Sequence, residues 1–351
     1  MPHKLFCPRI RALLGILLVA LPACATPSAS GTASVEPTVR TEPDDHDLWN
    51  LVPAEAQTLI AADMAQLRES PWTRGALSKA TAEGRGAWKT ARGFDELTDV
   101  DLLVFAGLRD LSASSSLLVA QGRLEREALM EAFQKQGSAQ PSNYRNVAML
   151  GQVAPTGSSD GGPALGFLTR RTVLSGSEVA VRAAIDCSFG VTLCLGTSAW
   201  SEALRRALAA GRGLSQRPPA LQGVFRLDDK TRTQLQSEMG EGGALEAVGL
   251  RVDLSADLDI SAIGQVHSPQ QAQDMAARLS ALIREQRNRP VVLLLGLRSV
   301  IGGIRIVARG SAVELALHVP EDQRESIAER MTTLAEMLTR AQAGRAAENS
   351  Q

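Results

Sequence analysis

The sequence predicts an α+β fold of two pseudo-repeated lobes, each an antiparallel sheet with helices packed on one face, behind a signal peptide and a disordered tether. Three observations predict it. An element order of strand, helix, strand, strand, helix, strand, strand, helix reads twice along the chain. A Gly/Pro/Arg-rich connector, "GRGLSQRPPAL" at 211–221, separates the two readings. The apolar runs come as neighbouring pairs joined by turn residues, which makes hairpins and hence antiparallel pairing. At 351 residues the chain is long for one domain and fits two. The expected divisions are 1–23 (signal), 24–47 (tether), 48–211 (first lobe), 219–343 (second lobe) and 344–351 (disordered tail). Identity between the halves is low, so the repeat is one of elements. Whether the lobes share one sheet is left open.

In the first lobe "EAQTLIAADM" reads as a strand, followed by a helix from about Ala65 to Lys79. "VDLLVFAGL" and "SSLLVAQGRL" are apolar runs joined by "RDLSA" and form a hairpin. "EREALMEAFQKQ" is an amphipathic helix with Leu129 and Phe133 four apart on one face. "YRNVAMLGQV" and "ALGFLTRRTVLSG" are two further strands around the loop "APTGSSDGGP", and a helix starts near Ser177. "SAWSEALRRALAA" adds a helix before the connector.

The second lobe opens on the strand "LQGVFRLDD" and the helix "KTRTQLQSEM". "GLRVDLSADLDISAIGQV" is one long strand or a hairpin. "SPQQAQDMAARLSALIREQ" is a strong helix, with Ser268 as N-cap, Pro269 at the first position and Met275, Leu279 and Leu282 on one face. "NRPVVLLLGLRS" fits a short buried helix better than a strand. "GGIRIVARG" and "AVELALHV" form a hairpin about Gly310-Ser311, and a last helix starts near Pro320.

The N-terminus reads as an export signal: Lys4, Arg9 and Arg11 precede the apolar core "ALLGILLVALPA". That core is short of the roughly 20 residues a membrane span needs. "Leu21-Pro22-Ala23-Cys24" resembles the lipobox of bacterial lipoproteins. The resemblance implies cleavage before Cys24 and a diacylglycerol on its sulfur; Pro22 departs from the usual small residue. "Ala23-Cys24-Ala25" is also an A-x-A site, so simple secretion is the alternative. Residues 26–45 are rich in Thr, Ser, Pro, Glu and Asp and cannot bury enough apolar area to offset ordering. As a tether they would reach on the order of 25 Å. By resemblance to lipoproteins of two-membrane bacteria, Ala25 after the cysteine implies sorting to the outer rather than the inner membrane.

Charge and composition exclude some classes. The formal net charge is −1, and aromatic residues make up 3%. A nucleic-acid binder would show a basic stripe with stacking aromatics. No nucleic-acid partner and no cofactor are therefore expected, and no G-x-S-x-G, H-E-x-x-H, Walker or dinucleotide fingerprint occurs. Cys187 and Cys194 in "CSFGVTLC" could close a disulfide in an oxidising compartment or remain two free thiols; C-x6-C has neither redox nor metal-site spacing. Asp63 and Asp228 occupy matching strand-to-helix junctions, where an N-cap role outweighs a catalytic pair. Asp253, Asp257 and Asp259 read as a solvated strand face, because no glycine-assisted turn breaks the acidic run. His46, His267 and His318 fall in tether, junction and strand end without a partner motif. Trp49, Trp72, Trp88 and Trp200 either plug helix–sheet seams or line an apolar groove.

"LVPAEAQTLIAADMAQLRESPW" and "GFDELTDVDLLVFAG" resemble the opening of secreted lipoproteins from bacteria of the myxobacterial kind, in Val52, Pro53, Ala54, Glu55, Ala56, Asp63, Leu67, Ser70 and Pro71. The resemblance implies an envelope α+β protein and carries no catalytic residue over. Three functional readings follow. The first is a non-enzymatic, lipid-anchored envelope protein that binds another macromolecule, such as an envelope protein, or acts as a structural module. The second is a binder of an apolar ligand between sheet and helices, which requires a connected apolar cavity of about 300 Å3 or more. The third is a hydrolase of unfamiliar type, which requires a nucleophile and base converging in a cleft.

Overall fold

The computed structural model describes residues 48–74, 93–95, 97–108, 116–153, 161–198, 201, 219–229, 232–233, 245–290 and 298–325. The strands are β1 (Thr58–Asp63), β2 (Val100–Gly107), β3 (Ser116–Gly122), β4 (Ala139–Tyr144), β5 (Val147–Gln152), β6 (Pro163–Phe167) and β7 (Thr172–Ser177). Beyond the connector come β8 (Leu221–Arg226), β9 (Leu245–Leu254), β10 (Leu258–Val266), β11 (Arg305–Arg309) and β12 (Ala312–Val319). The helices are α1 (Met64–Glu69), α2 (Arg126–Lys135), α3 (Glu178–Ser188), α4 (Pro269–Arg287) and α5 (Arg298–Gly302).

The expected pair of lobes is not what forms. All twelve strands belong to one antiparallel sheet in the order β11-β12-β10-β9-β8-β1-β2-β3-β7-β6-β5-β4. The halves are joined at its centre, where β1 pairs with β8 from Thr58↔Phe225 to Ala62↔Leu221. Each strand would otherwise be an exposed edge, and pairing satisfies both rows of backbone donors and acceptors. Nor do the halves repeat. The first contributes seven strands and the second five among the described residues, because "AQPSNY", not expected as a strand, pairs with "YRNVAMLGQV" as the hairpin β4–β5, and "ALGFLTRRTVLSG", expected as one strand, folds as the hairpin β6–β7.

Helices cover both faces of the sheet, against the expectation of one. Leu174 packs with Leu117, Val119 and the α3 residues Val181 and Ile185. Its neighbour Val173 packs with Leu165, Phe167 and Leu129 of α2. Consecutive strand residues point to opposite faces, so α3 and α2 lie on opposite sides. Met275 of α4 packs with Val266 and Val313. Register carries Val313 through Gly264, Val248 and Phe225 onto the same side as α2.

Local chemistry sets the element ends. Ser177 and Ser268 cap α3 and α4, their hydroxyls accepting from Ala180 N and Gln271 N at 3.3 Å. The expected long helix after β1 stops at Glu69: Ser70 precedes Pro71 and is extended (φ −63°, ψ 129°). "GLRVDLSADLDISAIGQV" is the hairpin β9–β10. The expected helices in 198–210, 230–239 and beyond 325 lie largely outside the described residues, as do 291–297 and the whole of the signal and tether. Among the described residues no helix is long and apolar enough to cross a membrane.

Candidate functional site

The site is a cleft on the α2 side of the sheet. α2 forms because Leu129, Ala132 and Phe133 share one face, with Glu127 in the first turn and Lys135 in the last matching the helix dipole. Gln152 Nε2 donates to Phe133 O at 3.1 Å and ties the helix end to β5. The segment ahead of β2 crosses directly over α2 at Gly93. A Cβ there would lie 2.4 Å from the Ala128 carbonyl oxygen, and φ is +78°, so only glycine fits. An Asx turn, with Leu97 N donating to Asp95 Oδ1 at 2.9 Å, fixes the next residues. The result is that Phe94 is delivered between α2 and the sheet.

Phe94 and Phe133 face Leu118 and Ala120 of β3, Leu165 of β6 and Val173 of β7 across a space of about 320 Å3. Gln136 and Ser175 supply the polar side chains of the lining, and none of the twelve lining residues ionises. The lining continues laterally. Leu118 lies directly across from Phe105 of β2, which lies across from Ile60 of β1. All three are half-buried on the same face. Among the described residues this lining carries no ionisable side chain and presents mostly apolar surface.

The residues singled out from the sequence fall elsewhere. Asp63 caps α1: its Oδ1 accepts from Gln66 N and its Oδ2 from Gln66 Nε2, both at 2.8 Å. Asp228 lies beyond the opposite end of β8, which is antiparallel to β1. The two carboxylates are thus roughly 25 Å apart at 3.3 Å per residue, and no acid pair forms. Asp253 is not on a solvated face: it is 6% exposed and takes a bidentate pair of hydrogen bonds from Arg251, at 2.8 and 3.0 Å. Asp259 meets His318 Nδ1 at 2.9 Å, and Asp257 Oδ2 stands 4.0 Å from the other ring nitrogen. His267 sits 3.2 Å from Glu246. Among the described residues no three of His, Cys, Asp and Glu gather as a metal site. Trp49 is buried in the core under α3, and Trp72 donates to Ala256 O at 2.9 Å, so neither lines the cleft. Cys24, His46, Trp88 and Trp200 are outside the described residues.

Cys187 and Cys194 are free thiols, both buried. Cys194 Sγ donates to Cys187 O at 3.6 Å, and Cys187 Sγ lies 3.5 Å from Thr192 Oγ1. Burial, with a further push from Cys194 and a partial offset from Thr192, raises the Cys187 thiol from 9.0 to about 12.

The aromatic residues that make the cleft were not singled out in sequence as a site. The one available signal was the i, i+4 pair Leu129 and Phe133 on a helix. Phe94 arrives through a tertiary crossing that no local pattern encodes.

No family model matches the chain, and no curated protein matches it. Three solved chains match. One, described as the structure of crystal form I of TP0453, is 10% identical over 82% of this chain and 98% of that one, with a TM-score of 0.42. That likeness is too loose to assign a fold or a function.

Proposed function

We propose that this is a non-enzymatic, lipid-anchored cell-envelope protein whose folded body takes up an apolar ligand between α2 and the sheet. The cleft carries the reading: about 320 Å3, walled by Phe94, Phe133 and aliphatic side chains, with Gln136 and Ser175 as its polar contacts. That volume lies at the lower end of ligand pockets, where one or two polar groups orient a mostly apolar guest. The half-buried band through Phe105 and Ile60 gives an elongated guest, such as an acyl chain, apolar surface to continue along. The lipobox at Cys24 supplies the anchor and places the body in the envelope, at the outer membrane in a two-membrane host.

The test is titration of the purified protein with a fluorescent long-chain fatty acid. Saturable one-to-one binding is expected, weakened tenfold or more by Ser175→Phe, which fills the cleft, and retained by Ser175→Ala. Absence of saturable binding, or equal affinity in a folded Ser175→Phe variant, refutes the ligand. Release of the Cys24→Ala variant from membranes tests the anchor separately.

A further inference from the structure

Six residues separate Cys187 from Cys194, and three of them hold large apolar side chains out in solvent: Phe189 is 37% exposed, Val191 52% and Leu193 78%. None of the six is charged. Exposed apolar residues are ordinary when single, as Val153 is; three within five residues form a patch.

The exposure is built. At one end α3 closes in a Schellman motif: Val191 N donates to Asp186 O and Gly190 N to Cys187 O, each at 2.9 Å, with Gly190 at φ +67°. The apolar residue after such a glycine normally folds back onto the helix; Val191 stays outside. At the other end the loop is pinned to the first described residues of the chain. Ala54 N donates to Leu193 O at 3.0 Å and Leu195 N to Val52 O at 2.7 Å, with a bridge between Pro53 and Cys194. Both cysteine side chains turn inward beneath the loop.

The place where the chain enters the fold identifies what the loop meets. Residues 1–47 precede Leu48, and Ala54 is only six residues further on, at most about 20 Å along the backbone. On the reading above, a tether with a reach of order 25 Å runs from this end to a diacylated Cys24. The tip of Phe189, Val191 and Leu193 thus lies near the end of the body where the chain enters, within the tether's reach of the bilayer that would hold the anchor. We propose that the Phe189–Leu193 loop is a second membrane contact, dipping its three apolar side chains into the lipid interface and fixing the orientation of the body on the membrane. The two acyl chains on Cys24 would hold the protein at the bilayer through a flexible link, and a loop contact adds what such a link lacks, a fixed orientation of the body. This inference rests on the anchor reading for its geometry.

The test uses the full chain in lipid vesicles of phosphatidylethanolamine and phosphatidylglycerol. Leu193→Cys carries an environment-sensitive fluorophore. Val153→Cys is the control: it is 73% exposed and lies at the far end of β5 from the Arg145 turn that holds Asp186. Emission from position 193 is expected to shift to the blue on vesicles and to be quenched by brominated acyl chains, while position 153 stays water-like. Phe189→Ser with Val191→Ser is expected to reverse the shift. A water-like signal at both positions overturns the proposal. So does a shift seen in whole envelope membranes but not on protein-free vesicles, since a protein then covers the loop. The Cys24→Ala variant separates the two readings: retention on membranes with an immersed probe removes the anchor and keeps the loop, and full release with a water-like probe in the acylated parent keeps the anchor and removes the loop.

Discussion

The thiol of Cys194 donates a hydrogen bond to the backbone carbonyl of Cys187 at 3.6 Å, so the two cysteines close the base of one loop from inside the protein. Burial raises the Cys187 thiol to about 12, whereas the unfolded chain releases this proton at its ordinary 9.0. Between those values the unfolded state binds fewer protons than the folded one, so unfolding becomes easier as pH rises. Below pH 9.0 both states are protonated and the effect vanishes. In reducing buffer, urea unfolding should show the parent losing stability progressively from about pH 9 to about pH 10.5 relative to Cys187→Ser. Parallel pH profiles for the two proteins would contradict this. Alkylation of Cys187 should likewise be slow until the protein is unfolded.

Gly93→Ala should be severe for its size. The added methyl would sit 2.4 Å from the Ala128 carbonyl oxygen and 2.9 Å from the Leu129 Cα, backbone atoms that cannot swing aside, at a φ of +78°. Strain and overpacking together should cost about 2–4 kcal/mol, read as a lower urea midpoint. Because Phe94 follows directly, fatty-acid binding should weaken in the same variant. A change under about 0.5 kcal/mol would mean that the segment does not ride on α2 as described.

The strands around Val104, Val119 and Val224 were legible because short apolar runs bounded by turn residues mark buried strands. So were the caps Asp63 and Ser268 and the helix start at Ser177, whose chemistry is local. What alternation does not encode is the lateral neighbour of a strand, and the one-sheet architecture turns on a single such choice, β1 beside β8. β4 was missed for a different reason. "AQPSNY" is polar, carries Pro141 and lies at the sheet edge, where an unpaired side tolerates proline and no alternation is imposed. Its turn to β5 uses Arg145 and Asn146 at φ 49° and 63°, a left-handed pair that only Asn advertises in sequence.

Asp63→Ala tests the reading of that carboxylate as a cap. Both its oxygens are engaged by Gln66, one through the backbone and one through the side-chain amide. Removing them should cost about 1 kcal/mol, with Asp63→Asn recovering most of it. Thermal unfolding of the three proteins measures this. Ligand binding should be unchanged throughout, because Asp63 is not among the residues lining the cleft.

Phe133→Ala addresses the cleft itself. The ring is half-buried and forms one wall of the 320 Å3 space without sealing the core behind it. Truncation should therefore cost less than a fully buried phenylalanine, about 2 kcal/mol. It should also enlarge the cleft and shift its preference toward longer or branched acyl chains. Competition of a series of fatty acids against the fluorescent probe reads that preference. An unchanged order of chain lengths in the folded variant would show that the guest does not lie against α2.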